Sequence, residues 1–548
     1  MPSVRSLPQY PHRGLEQHSC KTLFLALAWL ALTTAQAQTT TYALGRSALL
    51  VGPASGTNTV VLAVTPANGA WTATTNATWL HLTAANQSGT GSTNLVFSYD
   101  ASPGATRSGS LTISGQTLTV TQAGSTYIEA EPVTTLVSPP GAIPTGELPP
   151  LGMAVDGAGN VYSADNEGSF GVFEIEEWEV TNNIDADLIF GHDYVQGVAV
   201  DGAGNVYLAA PYGNTIFEWT GGNGAMTTLV SSGLNLPGDV AVDGAGNVYI
   251  ADAGTNAIKE WTAVSSNVTT LVSSGLSNPS GVAVDAAGNV YIADSGNNAI
   301  KEWTAANSNV TVLVSSGLND PLGVAVDGAG NVYIEDTGNS AIKEWTAANS
   351  NVTTLVSSGL SSPHGLAVDG AGNVYIDDTG TWEIKELPYA FVDPTARSES
   401  RGAGSDALPV VLPVTENLLA PFNPTSDQSW LTIGGITNGV VSFSFTATAS
   451  NRTANITLLG QTIPITQGVP GTPPTLGSVQ MLGKGILRFA FTNNPGAVFT
   501  VLSTTNLSLP LSDWTVAGTA TNMASGLFLF TSPPTTNDAQ RFYGVRSP

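Results

Sequence analysis

The chain of 548 residues holds a single cysteine, Cys20, so it can form no internal disulfide and has no cysteine pair for a metal. Charge is scarce too. Only 10% of residues are Asp, Glu, Lys or Arg, and 16 cations face 41 acids for a net charge of -25. Such a surface repels nucleic-acid phosphates and anionic lipids and tolerates cations and neutral ligands. Neither a Gly-x-Ser-x-Gly elbow nor a His-Glu-x-x-His pair occurs, so a serine triad has no starting point and no catalytic residue is assigned. Long apolar runs are missing except one, Leu23 to Leu32, which follows Arg5, Arg13 and Lys21 and precedes Ala35-Gln36-Ala37. It reads as a Sec signal peptide cut near Ala37, too short to span a bilayer. The expected product has no membrane span and is secreted, cell-surface or periplasmic. It would carry 13 cations against 40 acids, no thiol, and three histidines, His81, His192 and His364.

What is abundant is repetition. The phrase Asp-x-Ala-Gly-Asn-Val-Tyr begins at Asp156, Asp201, Asp243, Asp285, Asp327 and Asp369, at an interval of 45 and then of 42 four times running. A fixed period near 40 residues with four short alternating segments per unit predicts propeller blades, here six. The segments are Gly-Val-Ala-Val (strand a), Asn-Val-Tyr-Ile (b), Ala-Ile-Lys-Glu-Trp (c) and Val-Thr-Thr-Leu-Val (d). The a–b link has the composition of a turn, since Gly supplies positive φ and Asp binds amides two residues on. It lacks the alternating acids and terminal Glu of a calcium loop. Strand c ends in Trp178, Trp219, Trp261, Trp303 and Trp345, with Leu387 in the sixth unit, a packing device repeated once per blade.

Together with Pro-x-Gly-Val-Ala-Val before Asp285 and Asp327, and close variants of it before the other four, these copies resemble NHL repeats, a family of six-bladed propellers. On either side lie shorter alternating segments. Trp71, Trp79-Leu80, Arg107-Ser-Gly109, Gly115 and Thr121-Gln122 resemble the BACON family of immunoglobulin-like modules, named for carbohydrate binding. Trp430-Leu431, Arg452-Thr-Ala454, Gly460 and Thr466-Gln467 repeat the pattern, with Phe422 as the counterpart of Trp71. Both tryptophans of the first module are read as core, because buried aromatics anchor such sandwiches. The fold class is therefore all-β: a propeller flanked by small β-sandwiches. The expected organisation is a signal peptide at 1–37, a sandwich at 38–127, the propeller at 128–394, a second sandwich at 395–468 and a small β domain at 469–548, behind a proline linker at 470–474.

Thr134-Thr-Leu-Val137 copies strand d ahead of the first blade, whereas nothing like strand d follows Leu387. The wheel is thus expected to close with an outer strand from its N-terminal side, which removes both open edges and brings the two sandwiches to one blade.

In a four-stranded blade the d–a and b–c links share one face, around the channel mouth. The d–a links vary: Leu151, Gln196, Gly238, Ser280, Leu322 and His364 occupy one place, and Asp239 follows Gly238. Gln196, Asp239, Ser280 and His364 are the candidate ligand-binding residues. The residue before the b–c Asp is Ala in four blades but Glu335 and Asp377 in the last two. With Asp336 and Asp378 these form a candidate metal site whose hard oxygens suit Ca²⁺ or Mg²⁺. The plainer reading is that the b–c Asp caps its own turn and the extra acids are solvated. Two functions follow. One is a monomeric binding or scaffold protein using the mouth for a carbohydrate or a peptide or protein ligand. The other, implied by the NHL resemblance, is a metal-dependent lyase or lactone-type hydrolase with its site at the mouth, with His192 as a possible second histidine beside His364.

Overall fold

The computed structural model describes residues 39–130, 133–137, 147–148, 151–167, 172–179, 184–191, 193–468, 476–482, 485–492, 499–510, 513–524, 527–534 and 540–546. The expected signal peptide, His192 and the linker at 470–474 lie outside them. No helix among the described residues is long and apolar enough to cross a membrane.

Strand alternation makes blades because a sheet sandwiched between two others must bury both faces. Blade 3 shows the plan: strands Pro237–Val242, Val248–Asp252, Ala257–Thr262 and Asn267–Val272 pair antiparallel in chain order. The hydrophobic core lies between blades. Tyr207, Ala209 and Ile216 of blade 2 meet Val240, Val248 and Ile250 of blade 3, and the same set recurs around the ring. Strand a packs on strand a of the next blade, and Met153–Val155 of blade 1 meets Gly365–Val368 of blade 6 to complete the circle. Glycine is needed at this inner radius: a Cβ at Gly281 would lie 2.5 Å from the carbonyl oxygen of Leu322 in the next blade.

The a–b turn is self-contained. Asp243 Oδ1 accepts the N–H groups of Ala245 and Asn247, both at 2.9 Å, and Oδ2 accepts Asn247 Nδ2 at 2.9 Å and the Tyr249 hydroxyl at 3.2 Å. Gly246 sits at φ +79°, where a side chain would be strained. All of its carboxylate capacity is spent inside the turn, as a structural loop requires.

Blade 6 closes as the repeat pattern expects. Its strands Gly365–Val368, Val374–Asp378 and Glu383–Leu387 take Thr134–Val137 as the outer strand, with Thr134 opposite Glu386 and Val137 opposite Ile384. Beside this seam Ile128–Glu129 pairs antiparallel with Phe391–Val392, and Thr126 Oγ1 donates to Asp393 Oδ2 at 2.8 Å. The segments leading in and out are thus fastened together, and both sandwiches start from one blade.

The first sandwich packs two sheets over a core that includes Trp71 (5% exposed) and Trp79 (8%), which settles their role as packing residues. Arg107 stacks on Trp79 at 4.4 Å while its Nε donates to Gln122 Oε1 at 2.8 Å. The second sandwich repeats this unit with Arg452 over Trp430 at 4.1 Å and Nε on Gln467 Oε1 at 2.9 Å. Phe422 is buried in its core. The last strands, Leu476–Met481 to Phe542–Arg546, form one six-stranded sheet around a cluster of phenylalanines.

The first sandwich docks on the a–b face of the propeller. Arg46 Nη2 reaches Asp327 Oδ2 at 2.8 Å, and Val61 N–H donates to Gly328 O at 3.1 Å. Tyr389 hydroxyl donates to Leu50 O at 3.2 Å. These partners all lie on the face opposite the mouth.

The seam strand dominates closure. A propeller chain beginning at Gly141 should melt well below one beginning at Tyr127, by roughly 10 °C, the response of a domain this size to a few kcal/mol. Equal melting in a thermal scan would show that Thr134–Val137 adds nothing to closure.

Candidate functional site

The six d–a links converge as topology demands. Leu151, Gln196, Gly238, Ser280, Leu322 and His364 line a constriction at the axis, a cavity of about 40 Å³ shared with Asp239 and the strand-a residues Gly323, Val324 and Gly365. That volume holds a water or two and no sugar or peptide. Any larger ligand lies across the rim.

Much of the polar capacity at the rim is spent between blades. Ser280 Oγ donates to Leu322 O at 2.8 Å, and His364 Nδ1 lies 3.1 Å from Leu151 O. Asp239 Oδ1 accepts Val240 N–H at 2.8 Å and its Oδ2 accepts Val282 N–H of blade 4 at 2.9 Å. Asp239 stands where every other blade has the glycine of Pro-x-Gly, so its side chain fills the inner space and laces two blades.

The four acids proposed for a metal do not converge. Asp336 is fully buried and ion-paired with Lys343 of strand c at 2.5 Å, and its Oδ1 accepts Asn319 N–H at 2.7 Å. Asp378 is held in the same way by Lys385, Ser361 N–H and Thr381 Oγ1. Asp252 and Asp294 repeat the arrangement with Lys259 and Lys301. The b–c Asp therefore has a lysine as its cation, and within its own short turn it holds the Thr or Asn side chain three residues on rather than a backbone N–H. It pins strand c to the d–a link, with the ammonium supplying the counter-charge that a buried carboxylate needs. Among the described residues no group of three or more His, Cys, Asp or Glu could hold a metal ion. The Ca²⁺ or Mg²⁺ assignment to Asp336 and Asp378 is thus corrected, and the donor set does not fit a resident ion.

Glu335 and Asp377 point the other way along strand b, into the inter-blade space. Both are fully buried, neither as solvated surface nor in an ion pair. The oxygens of Glu335 complete no hydrogen bond of good geometry, although Gly323 and Gly365 N–H lie nearest, and Asp377 Oδ2 has no partner. Burial pushes the Glu335 carboxyl well above the usual range, with Asp239 adding to the effect. Asp377 is raised well above its range by burial first, then by Glu335, Asp165 and Asp378. Asp239 is raised to about 7 by burial, against the two N–H bonds that lower it. The acids replace small residues of the repeat at three places and form one electrostatically linked set near the axis.

Sequence reasoning missed an aromatic pair on the same face. Tyr212, 72% exposed, stands in the b–c link of blade 2, and Tyr194 stands in the d–a link just before Gln196. Their ring centroids are 5.0 Å apart at 48°. The signal was a break in the repeat: Pro211-Tyr212 occupies the place of Ala253-Gly254, and Ala210 and Phe217 replace the Asp and Lys of blades 3 to 6. Losing that ion pair leaves blade 2 with a different, tyrosine-bearing link. His81 of the first sandwich pairs with Asp100 at 3.1 Å, remote from the mouth.

Comparison with known proteins agrees with this architecture. The NHL repeat model matches residues 276–303 and 318–345, and the BACON model, whose description proposes an N-terminal binding domain, matches residues 69–123. The chain carries NHL repeats and a BACON domain in an all-β, propeller-centred structure. A solved protein of unknown function from Bacteroides thetaiotaomicron is 15% identical over 64% of this chain and 98% of its own, at a TM-score of 0.42. Virginiamycin B lyase from Staphylococcus aureus is 14% identical over 47% and 98%, at 0.36. A gluconolactonase from Xanthomonas campestris is 15% identical over 47% and 89%, at 0.39. None of these likenesses carries an activity over to this chain. Among curated proteins, none matches.

The pH response follows from the axial acids. Their folded values lie above the unfolded carboxyl value of about 4, so the stability present in acid is lost as pH rises, through about 7 for Asp239. Glu335→Ala with Asp377→Ala restores the alanine of other blades and should flatten this loss. At about pH 8 the variant should be more stable than wild type by roughly 1–3 kcal/mol, the cost of buried groups without partners. Denaturant melts that show the variant weaker at every pH would mean that these acids are well-bonded parts of the fold.

Proposed function

We propose that this is a secreted or surface-held binding protein that takes a carbohydrate across the propeller's mouth face, with the sandwiches as spacers on the opposite face. One observation carries the reading: in a wheel of closely similar blades, the d–a link residue at the mouth changes from blade to blade, from Leu151 through Gln196, Gly238, Ser280 and Leu322 to His364, on the face the first sandwich leaves uncovered. Exposed Tyr212, held 5.0 Å from Tyr194, offers a ring face to the C–H face of a sugar, and Gln196, two residues after Tyr194 in the d–a link, offers an amide donor and acceptor at the mouth. The acidic surface favours a neutral ligand over an anionic one. The coarser role of binding or scaffold is in keeping with the domain types, and a peptide is the other ligand class the rim could serve. A lyase or lactone hydrolase would need a converging donor set, and no observation here favours it over binding.

The test is a glycan and peptide array probed with the whole chain, followed by titration of the best ligand. Tyr212→Ala should weaken binding on the order of tenfold, the scale of an aromatic anchor. Its melting temperature should not change, since the ring is exposed. Binding that is indifferent to Tyr212→Ala and Gln196→Ala would move the ligand off the mouth and sink the reading.

A further inference from the structure

A wide cleft lies elsewhere, between blades 1 and 6 and the two sandwiches, with a cavity volume of about 890 Å³. Two carboxyls from different domains line it: Glu386 on strand c of blade 6 and Glu416 on a link of the second sandwich. They are 1% and 8% exposed, and Glu386 Oε2 and both oxygens of Glu416 meet no hydrogen-bond partner. Blades 1 and 2 give the same glutamate a partner. The equivalent Glu177 of blade 1 accepts the Tyr162 hydroxyl at 2.9 Å and Glu218 of blade 2 accepts Tyr207 at 3.5 Å. In blade 6, as in blades 3 and 4, the Tyr hydroxyl bonds the a–b Asp alone, here Asp369 at 3.4 Å, while Glu386 is more deeply buried than its equivalents.

We propose that this cleft binds an organic cation, an ammonium or guanidinium on an aliphatic chain, with Glu386 and Glu416 taking its N–H groups. Of the other charged groups facing the cleft, Asp369 is committed, and Arg46 keeps a buried Nε without a hydrogen-bond partner. Asp369 spends its oxygens on Ala371, Gly372 and Asn373 N–H, on Asn373 Nδ2 and on Tyr375, and Arg46 is paired with Asp327. Two carboxyls with three unpartnered oxygens match a multi-donor cation better than a metal ion, and no described trio of His, Cys, Asp or Glu could hold a metal. Leu50, Pro413 and Leu418 supply an apolar wall for methylene groups. Left empty, the acids resist ionisation. Burial, reinforced by Asp369, pushes Glu416 up to about 8, and burial, then Glu416 and Asp369, pushes Glu386 well above the carboxylate range. A bound cation should therefore expel protons and bind more tightly as pH rises from about 6 to about 8, below the point where an amine itself titrates.

The site is on the face opposite the mouth and does not depend on the carbohydrate reading. Calorimetry on the whole chain with cadaverine and with agmatine, and with pentanediol as the uncharged control, tests it. Expected are saturable binding of one or both cations, none of the diol, and net proton release near neutral pH in buffers of different ionisation heat. Glu386→Gln and Glu416→Gln should each weaken binding on the order of tenfold or more, as truncating a buried charge partner does, while Tyr212→Ala leaves it unchanged. Absence of binding, equal binding of the diol, or a Glu386→Gln/Glu416→Gln double variant with wild-type affinity would overturn the proposal. Should a variant melt early, the wild-type proton count decides alone, and binding without proton release rejects these two carboxyls as the site.

Discussion

The antiparallel pairing of Thr134–Val137 with Glu383–Leu387 is the contact on which the rest of the molecule depends. A ring of sheets has two loose edges until the first and last blades share strands, and an unpaired edge exposes a row of backbone donors and acceptors. Sharing a strand between the ends of the propeller segment satisfies both edges and brings Ile128–Glu129 beside Phe391–Val392. The sandwiches must then leave the wheel together at blade 6. The first falls onto the a–b turns, the mouth stays open, and Glu386 comes to lie under the second.

Repetition explains why departures from the repeat are informative. A blade needs a glycine at the inner radius, a small residue before the b–c link, and an Asp–Lys pair to pin that link. Where all three hold, the blade is a structural unit and nothing more. Asp239, Glu335 and Asp377 break the first two conditions at the axis, and Ala210, Tyr212 and Phe217 break the third in blade 2. Each break has a physical cost, a buried acid without a counter-ion or an exposed ring, which packing alone gives no reason to keep. The acids have left the range in which surface carboxylates titrate, because burial penalises the charged form and each neighbouring acid adds to the penalty.

The six copies of the Asp-x-Ala-Gly-Asn turn were legible without coordinates because the hydrogen bonds that shape the turn run from its Asp carboxylate to groups within six residues. The same holds for the order of strands, set by alternation, and for the ring of d–a links, set by the parity of four-stranded blades. Trp71 and Trp79 were legible as core because a small sandwich has few other places for rings of that size. The seam was legible because one strand-d copy was surplus and another missing. The b–c aspartates were not. Each finds its lysine seven residues on and its amide seventeen residues back, so nothing in the local sequence separates that role from capping or metal ligation.

The sequence by itself determined the all-β class, the number of blades, the strand that closes them and the face on which variable residues meet. Those follow from period and parity, which are properties of one chain direction. Only the tertiary structure decided what each acid does. Adjacent residues on a strand point to opposite faces, so Asp336 went to Lys343 while Glu335 went to the inter-blade space without a partner. It also decided the fate of the repeated strand-c glutamate: half-exposed in blades 1 to 5 and sealed in blade 6. That difference comes from the second sandwich, whose place over blade 6 is set by packing between distant segments that no repeat unit encodes.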